Sequence, residues 1–183
     1  MRDAKQEILK FWFEETKPAQ WFQKNPDFDA EIEARFHADY TLAMMDIYDG
    51  WMDDAKGCLA MIILLDQFPR NMFRDTPQMF ASDHKALNVA NHVLDKKFDQ
   101  VMSLHEKVFA YLPFEHSEDM ADQETSLRLF EPTKDEDPTF HLYAKRHHDV
   151  IKKFGRFPHR NGVLGRKSTK LEGEYLDEDG SGF

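Results

Sequence analysis

The sequence predicts an all-α protein. Apolar residues recur at helical spacing along almost the whole chain, and no segment shows the sustained alternation of a half-buried strand. Capping and helix-ending residues divide this pattern into about seven or eight helices. Short turns between consecutive helices favour antiparallel helical hairpins. We therefore expect a stack of hairpins of the tetratricopeptide-like superhelical class, although no clean period of about 34 residues is visible.

The first two helices have recognisable boundaries. Asp3 followed by Gln6 resembles a capping box, and the first helix is expected to end before Pro18. Asn25 suits the N-cap of a second helix, which is expected to close at Gly50. Its apolar residues recur every four positions, at Phe28, Ile32, Phe36 and Tyr40.

The third helix is predicted to be the centre of the core. It covers about residues 53–67 and is apolar on nearly every side over residues 59–65, which is typical of a helix surrounded by others. Pro69 is expected to end it, because an aromatic residue followed by proline usually stops a helix.

The later helices follow from further caps. Ser82 can cap a fourth helix, and Ser103 with Glu106 forms a capping box for a fifth that should stop before Pro113. A polar connector and a sixth helix follow. The last boundaries are expected at Asp137 as a helix start, Gly155 as a stop, a capping box of Thr169 and Glu172, and a frayed tail from about residue 178.

Composition favours one soluble, cytoplasmic domain covering residues 1–183. A chain of this length buries enough surface for a full core, and sixteen Phe with nine Met supply it. Cys58 is the only cysteine and lies in an apolar run, so a buried, inert thiol is expected. No secretory segment or membrane span is expected, because no apolar run approaches the roughly 20 residues that a span needs.

Charge is distributed unevenly. The formal net charge is −10, yet residues 145–170 hold nine Lys or Arg against one Asp, a net of +8, which leaves −18 for the rest. This basic segment faces either an anionic ligand or the protein's own acidic surface, and we favour the second. An acidic protein repels a polyanion at long range, so nucleic acid is an unlikely partner.

Two segments nearly repeat one another and carry the first candidate site residues. Asp66-Gln67-Phe68-Pro69-Arg70-Asn71 is echoed by Gly155-Arg156-Phe157-Pro158-His159-Arg160-Asn161. In each, Arg and Asn place multidentate hydrogen-bonding groups near a helix end, where backbone amides are also free. Asp66 is expected at the C-terminal end of a helix, where the helix dipole disfavours a negative charge, so it should have a positively charged partner. We favour an ion pair with an arginine that only fixes the loop over a catalytic role.

The second of these segments also suits anion binding. Its arginines, histidine and glycines form a loop that leads into a capped helix, and guanidinium forks with backbone amides favour carboxylate or phosphate. The alternative is a tight turn at Asn161-Gly162, held by salt bridges to Asp66, Glu115 or Asp122. The residues leave both interpretations open.

A third polar segment contains adjacent acidic and imidazole groups. Glu115 and His116 follow Leu112-Pro113-Phe114, and such a pair can act as a general base with its orienting group. Adjacent side chains usually point apart, so a hydrogen-bonded structural histidine is the more common outcome. His147 and His148 could join them in a metal site, but no helical His spacing supports one, and no metal or cofactor is expected.

These three segments together resemble the family known as domain of unknown function 924. Leu64-Leu65 before the first segment, Ser117-Glu118 and Asp122-Gln123 after the Glu-His pair, and Leu164-Gly165-Arg166 after the last one complete the pattern. The resemblance runs from about residue 11 to 169. It implies a single, mainly bacterial, all-helical domain with a tetratricopeptide-like right-handed superhelix, and it implies no known reaction or catalytic residue.

The residues support three functional hypotheses. In the leading one, the three polar loops converge into a pocket that binds a small carboxylate- or phosphate-bearing molecule or a short peptide segment. The second is a hydrolase in which Glu115 or Asp66 activates water and His116 or His159 moves the proton. The third is a protein-interaction module with aromatic contacts at Trp12, Trp21, Phe22 or Trp51.

The sequence leaves open whether the protein is an enzyme. The ligand-binding candidates are Gln67, Arg70, Asn71, Arg156, His159, Arg160 and Asn161, and the catalytic candidates are Glu115, His116 and Asp66.

Overall fold

The computed structural model describes residues 2–178, and the predicted frayed tail lies essentially outside the described residues. All regular elements over this range are helical, which confirms the all-α prediction. The α-helices are α1 (Ala4–Lys10), α2 (Pro26–Met44), α3 (Ala55–Ile62), α4 (Phe68–Met72), α5 (Asp83–Lys96), α6 (Leu104–Glu115), α7 (Met120–Phe130), α8 (Pro138–Phe154) and α9 (Lys170–Leu176). Short 3₁₀ turns occur between several of them.

Helix α3 continues into α4 through one π-helical turn, Ile63–Gln67. Counted as one, the joined pair brings the helices of the described chain to eight, in line with the seven or eight expected. A second π-helical turn, Phe11–Glu15, extends α1.

The fold divides into two compact units. The first takes in the chain up to Arg74 together with Gln78–Pro113, and the second takes in Asp75–Pro77 and the chain from Phe114 onward. A single domain over residues 1–183 and a tetratricopeptide-like superhelix both stay predictions.

The first unit is built around the α3–α4 helix. Helices α1 and α5 pack on α3, and α2 packs on α4. Every residue from Cys58 to Leu65 is buried, as predicted for a central helix. Aromatic rings fill the core around it: Trp12 meets Phe68 and Phe109 edge-on at 5.6 and 5.5 Å between ring centroids, and Phe36 stacks on Phe68 at 4.8 Å. Edge-on and stacked rings of this kind add to the stabilisation from burial.

The second unit is a helical hairpin with a long polar loop. Helix α7 packs along α8, and the loop after α8 returns over them to reach α9. A small apolar core of Val150, Ile151 and Phe157 is covered by Phe154 and Tyr175. Phe157 has no exposed surface and anchors the loop that carries the last polar segment.

Most of the predicted caps are present. Asn25 and Asp137 accept backbone hydrogen bonds at the starts of α2 and α8, and Thr169 with Glu172 forms a full capping box at α9. Gly155 ends α8 in the left-handed conformation (φ 70°), which costs glycine little because it has no Cβ.

Three predicted helix boundaries are wrong. The helix does not stop at Pro69: after the π turn, this residue falls in the first turn of α4, where its missing N–H costs nothing. Pro113 lies inside α6, which continues to Glu115. Helix α2 ends at Met44 rather than Gly50, because Asp46 takes the left-handed conformation (φ 63°). Ser82 is the N-cap residue of α5, as predicted, but its side chain makes no capping bond, because the hydroxyl donates to the Leu65 carbonyl at 2.6 Å.

No helix of the described chain combines the length and apolar character that crossing a membrane requires.

Candidate functional site

The first polar segment belongs to the first unit and is helical, not a loop. Asp66 has no exposed surface, and its carboxylate lies 3.4 Å from Arg70 and accepts from the Gln67 amide at 2.5 Å. Arg70 also donates to both carboxylate oxygens of Asp83, at 2.9 and 3.2 Å. These two carboxylates raise the pKa of Arg70 although burial acts in the opposite sense. The predicted pairing of Asp66 with an arginine is therefore confirmed.

Asn71 takes part in a second network of the same unit. Its amide donates to Asp29 at 2.7 Å, and Arg74 donates to both oxygens of the same carboxylate at 2.7 Å. Burial alone would raise the pKa of Asp29, but the bonds from Arg74 and Asn71 bring it below its ordinary value. The side chain of Asn71 thus joins α4 to α2.

The segment that contains Glu115 and His116 lies in the second unit, where Glu115 pairs with His147. A carboxylate oxygen of Glu115 lies 2.9 Å from His147 Nδ1, and the Tyr143 carbonyl lies at the same distance from that nitrogen. Both partners are acceptors, so Nδ1 carries the hydrogen. Glu115 and His147 are each buried.

The end of α6 is held by side chains from two other elements. The Gln123 amide, on α7, donates to the carbonyls of Glu115 and Ser117 at 2.7 Å each. Arg160, from the loop after α8, donates to the His116 carbonyl at 3.0 Å. The last carbonyls of a helix lack helical partners, and this amide and guanidinium supply them.

Residues 155–161 and those that follow form a loop, as predicted, but the salt bridges of Arg156 and Arg166 go to other carboxylates than expected. Arg156 donates to both oxygens of Glu172, at 2.6 and 2.8 Å, and this pairing holds the pKa of Glu172 well below its ordinary value. Arg166 reaches Glu118, not Asp66, Glu115 or Asp122. The positive φ falls at Gly165 rather than Gly162. Asn161 donates to Ser168 and accepts from Arg166, so it shapes the loop.

Three cationic or titratable side chains lie against the Phe157 ring, and a fourth, His116, lies beside one of them, His147. We call these four the Phe157 cluster: His116, His147, His159 and Arg160. The Arg160 guanidinium lies 4.5 Å from the Phe157 ring centroid, and the rings of His147 and His159 lie 5.5 and 5.6 Å from it. The ring of His116 is 6.3 Å from that of His147. His116 and His159 are partly exposed, so the cluster reaches solvent.

The cluster disfavours any further positive charge. Burial, followed by Arg160 and His147, lowers the pKa of His159 to about 4. Glu118, which also binds Arg166, acts in the opposite direction. Arg166 and the Phe157 N–H hold the pKa of Glu118 below its ordinary value although its burial would raise it.

Sequence reasoning missed the partners of the site more than its residues. His147 was considered only as part of a possible metal site, not as the hydrogen-bond partner of Glu115. Glu118 and Glu172 were noted only as parts of a motif and a cap. Among the described residues, no three His, Cys, Asp or Glu side chains come together in a way that could hold a metal ion. An open hollow of about 710 Å³ in the first unit is lined by α1, Glu14 and Lys56, and none of its lining residues is a predicted site residue.

Comparison with known proteins supports the resemblance noted in the sequence. A family model described as "Bacterial protein of unknown function (DUF924)" matches residues 8–180. A solved structure, described as a protein of unknown function, ATU0120, from Agrobacterium tumefaciens, is 39% identical with a TM-score of 0.90. The similarity covers 94% of this chain and 96% of that one. A search of curated proteins found no match.

Proposed function

Because this chain belongs to the DUF924 family, whose description assigns no function, we propose from the chemistry of the second unit that the Phe157 cluster binds a small anionic ligand. The ligand is a carboxylate- or phosphate-bearing molecule, or the carboxylate of a short peptide segment. Arg160, His159 and His116 are the binding residues, in the reducing environment of the cytoplasm.

The observation that carries this proposal is the group of guanidinium and imidazole side chains at Phe157, which reaches solvent. The Arg160 guanidinium lies 4.5 Å from the Phe157 ring centroid, the rings of His147 and His159 lie 5.5 and 5.6 Å from it, and His116 and His159 are partly exposed. Of the neighbouring carboxylates, Glu115 binds His147, and Glu118 binds Arg166 and the Phe157 N–H. Guanidinium forks and imidazoles are the groups that proteins use to bind carboxylate and phosphate.

A thermal-shift screen of anionic metabolites tests the proposal. A ligand should raise the Tm of the wild type, and Arg160→Gln should abolish the rise. Arg128→Gln is the matched control, because Arg128 is exposed on α7 and donates to Thr125 of its own helix. Arg160 is buried and holds the end of α6, so the partly exposed His116→Gln provides a second variant that should weaken binding. Shifts that are negligible, or equal in all four proteins, would count against the proposal.

The Glu115–His147 pair favours hydrolysis as a second candidate function. Glu115 and the Tyr143 carbonyl fix the hydrogen on Nδ1, which leaves the Nε2 lone pair as the basic position. In ester hydrolysis, Nε2 would take a proton from water as the oxygen adds to the carbonyl carbon. The same proton would pass to the leaving alkoxide, and Arg160 would stabilise the oxyanion. Glu115 would then be a positioning residue.

A panel of anionic esters separates the two candidates. Activity with a bell-shaped pH profile, lost in His147→Gln and retained in His148→Gln, would establish hydrolysis. Glu115→Gln should lower kcat by more than it changes KM, because it disturbs the tautomer and not the ligand contacts. Binding without turnover across the panel would leave anion binding as the function.

Protein interaction stays a prediction with fewer candidate contacts. Trp12 and Trp21 are buried in the core of the first unit, so only Phe22 and the partly exposed Trp51 of the original four can meet a partner.

A further inference from the structure

We propose that an exposed face of α8, beside α9, docks an acidic peptide segment of a partner protein. The α8 face comprises Leu142, Tyr143, Arg146 and Lys153, together with Tyr175 from α9. Two carboxylates of the segment bind Arg146 and Lys153, and an apolar side chain of the segment packs between them. The inference goes beyond the proposed function, because it uses none of the four residues of the Phe157 cluster.

Helical spacing places the α8 residues of this face side by side. Successive residues of an α-helix are rotated by about 100°, so Leu142, Arg146 and Lys153 fall within about 40° of one another. Tyr143 lies at the edge of the same side. Leu142 and Tyr143 are 47% and 43% exposed, and Arg146 and Lys153 are exposed as well. Tyr and Arg are the residue types that protein interfaces favour, so this side of α8 has the composition of a contact surface.

Aromatic rings hold both cations without using their hydrogen-bond donors. The Arg146 guanidinium carbon lies 5.3 Å from the Tyr143 ring centroid. Lys153 Nζ lies 4.8 Å from the Phe154 ring centroid and 5.8 Å from that of Tyr175. The Phe154 and Tyr175 rings are themselves in contact, at 5.1 Å between centroids. A cation–π contact leaves the N–H groups of the cation available, so both side chains can still donate to a carboxylate.

The protein's own carboxylates leave these two cations available. Within the described residues 2–178, neither Arg146 nor Lys153 has an ion pair or a hydrogen bond through its side chain. Asp149 is the only acidic residue of α8, and it binds Lys145. Burial, then Glu178, raises the pKa of the tyrosine on α9, and Arg146 opposes them. Glu178 therefore offsets part of the positive charge at one edge, and two cations remain for the carboxylates of a partner.

The small extent of the positive charge favours a short acidic segment over a polyanion. The whole chain has a net charge of −10, and the residues outside 145–170 carry −18. A nucleic acid or an anionic membrane extends well beyond one helix face and is repelled by this excess at long range. An acidic peptide meets only the few side chains of the face, and its apolar residues suit the exposed Leu142 and Tyr143.

The distance between the two cations predicts the spacing of acids in the segment. Arg146 and Lys153 are seven positions apart, which is roughly 10 Å along the helix axis. A peptide in the polyproline II conformation places residues i and i+3 on one side, about 9 Å apart. We therefore expect two acidic residues three positions apart, with an apolar residue between them.

Fluorescence polarisation with a labelled peptide tests the inference. The probe is a peptide of four Glu-Leu-Ser repeats, and its counterpart has Gln in place of each Glu. We expect the Glu peptide to bind the wild type and the Gln peptide to bind at least about tenfold more weakly. The double variant Arg146→Gln, Lys153→Gln should weaken binding of the Glu peptide by about tenfold as well. Both substituted side chains are exposed, so an unchanged Tm is expected.

The control removes the same number of positive charges elsewhere in the second unit. Arg128→Gln with Lys134→Gln acts on exposed side chains that bond to Thr125 and Glu131, and it should change the affinity by less than about twofold. Equal losses in the two double variants would reduce the effect to net charge and overturn the inference. Absence of binding by the Glu peptide would overturn it too.

Further measurements exclude other occupants of the α8 face. His116→Gln should bind the Glu peptide as the wild type does; loss of binding there would place the peptide at the Phe157 cluster instead. A short oligouridylate and vesicles of phosphatidylcholine mixed with phosphatidylserine should bind more weakly than the peptide. Equal or tighter binding of either, dependent on Arg146 and Lys153, would overturn the inference. So would sedimentation that shows a dimer of the wild type and a monomer of Arg146→Gln, Lys153→Gln, because a second copy of the chain would then cover the face.

Discussion

The Glu118 carboxylate accepts both Nη groups of Arg166, at 2.6 and 2.9 Å, across 48 positions of sequence. The same carboxylate accepts the Phe157 N–H at 2.7 Å. The start of α7 is thereby joined to both ends of the polar loop. This carboxylate fixes the backbone of the residue around which the cluster is arranged.

We predict that Glu118→Gln destabilises the protein by about 2 kcal/mol, because charge-assisted hydrogen bonds to a half-buried group are worth more than exposed ion pairs. The measurement is the free energy of unfolding in urea. Asp149→Asn is the control: its exposed pair with Lys145 should be worth less than about 1 kcal/mol. If the free energy of unfolding fell equally in the two variants, the hydrogen bonds of Glu118 would stabilise the protein no more than an exposed ion pair does.

Arg70→Met should destabilise the protein by roughly 3 kcal/mol, because it removes the guanidinium that faces the fully buried Asp66. Adding Asp66→Asn should cost less than the sum of the two single changes, since the buried charge is then gone as well. Urea unfolding of the three variants measures the difference. Strict additivity would mean that Asp66 and Arg70 do not stabilise one another.

Stability should fall on mild acidification because of His159. Its pKa is depressed to about 4, so between pH 6.5 and pH 4 the unfolded chain binds a proton that the folded protein does not. The free energy of unfolding should therefore decrease as pH falls through this window, by up to about 1 kcal/mol per pH unit. His159→Gln should flatten the profile above pH 4.5 and His148→Gln should leave it unchanged; a slope that survives in His159→Gln would assign it to another group.

A further loss is expected below about pH 4.5. The pKa values of Glu118 and Glu172 are lowered in the folded state, so their contributions are present above the ordinary glutamate pKa and disappear as pH falls below it. Glu172→Gln should remove part of this acid limb, as measured by urea unfolding at pH 3.5 and pH 6. An unchanged difference between the two pH values would contradict the assignment to Glu172.

Cys58 should resist alkylation in the native protein. Its side chain has no exposed surface, and burial raises the pKa of the thiol to about 11, so little thiolate forms at neutral pH. Iodoacetamide at pH 8 should label it only in urea, with a rate that follows the unfolded fraction, as mass spectrometry would show. Rapid labelling without denaturant would indicate local opening of α3.

The helix starts could be predicted because their determinants are local. Asn25, Asp137 and Thr169 each bond to backbone two or three residues away, and a sequence window contains everything required. The effects of Pro69 and Pro113 on their helices were predicted wrongly. Whether a helix accepts a proline depends on which backbone hydrogen bond is lost there, and neither composition nor apolar periodicity gives that information. The central position of α3 was predicted correctly, since burial on all sides leaves a run with no polar face.

The polar segments were found in the sequence, but their bonding was not. His147 meets Glu115, and Arg166 meets Glu118, only through the packing of the second unit. The charge pattern of the sequence allows several carboxylates as the partner of each arginine. Which of them forms the salt bridge depends on distances in the folded protein, and the order of residues does not give these.

Because of the π-helical turn at Ile63–Gln67, the number of residues in this stretch determines the direction in which the side chains of α4 point. Here the Phe68 N–H reaches back five positions, to the Ile63 carbonyl, and the extra residue turns everything that follows by about 100°. Asn71 and Arg74 face Asp29 only with that added angle. Deleting one residue of this turn would give a regular α-helix along the same axis. The side chains of Asn71 and Arg74 would then point away from the Asp29 carboxylate, and the hydrogen bonds that join them to α2 would be lost.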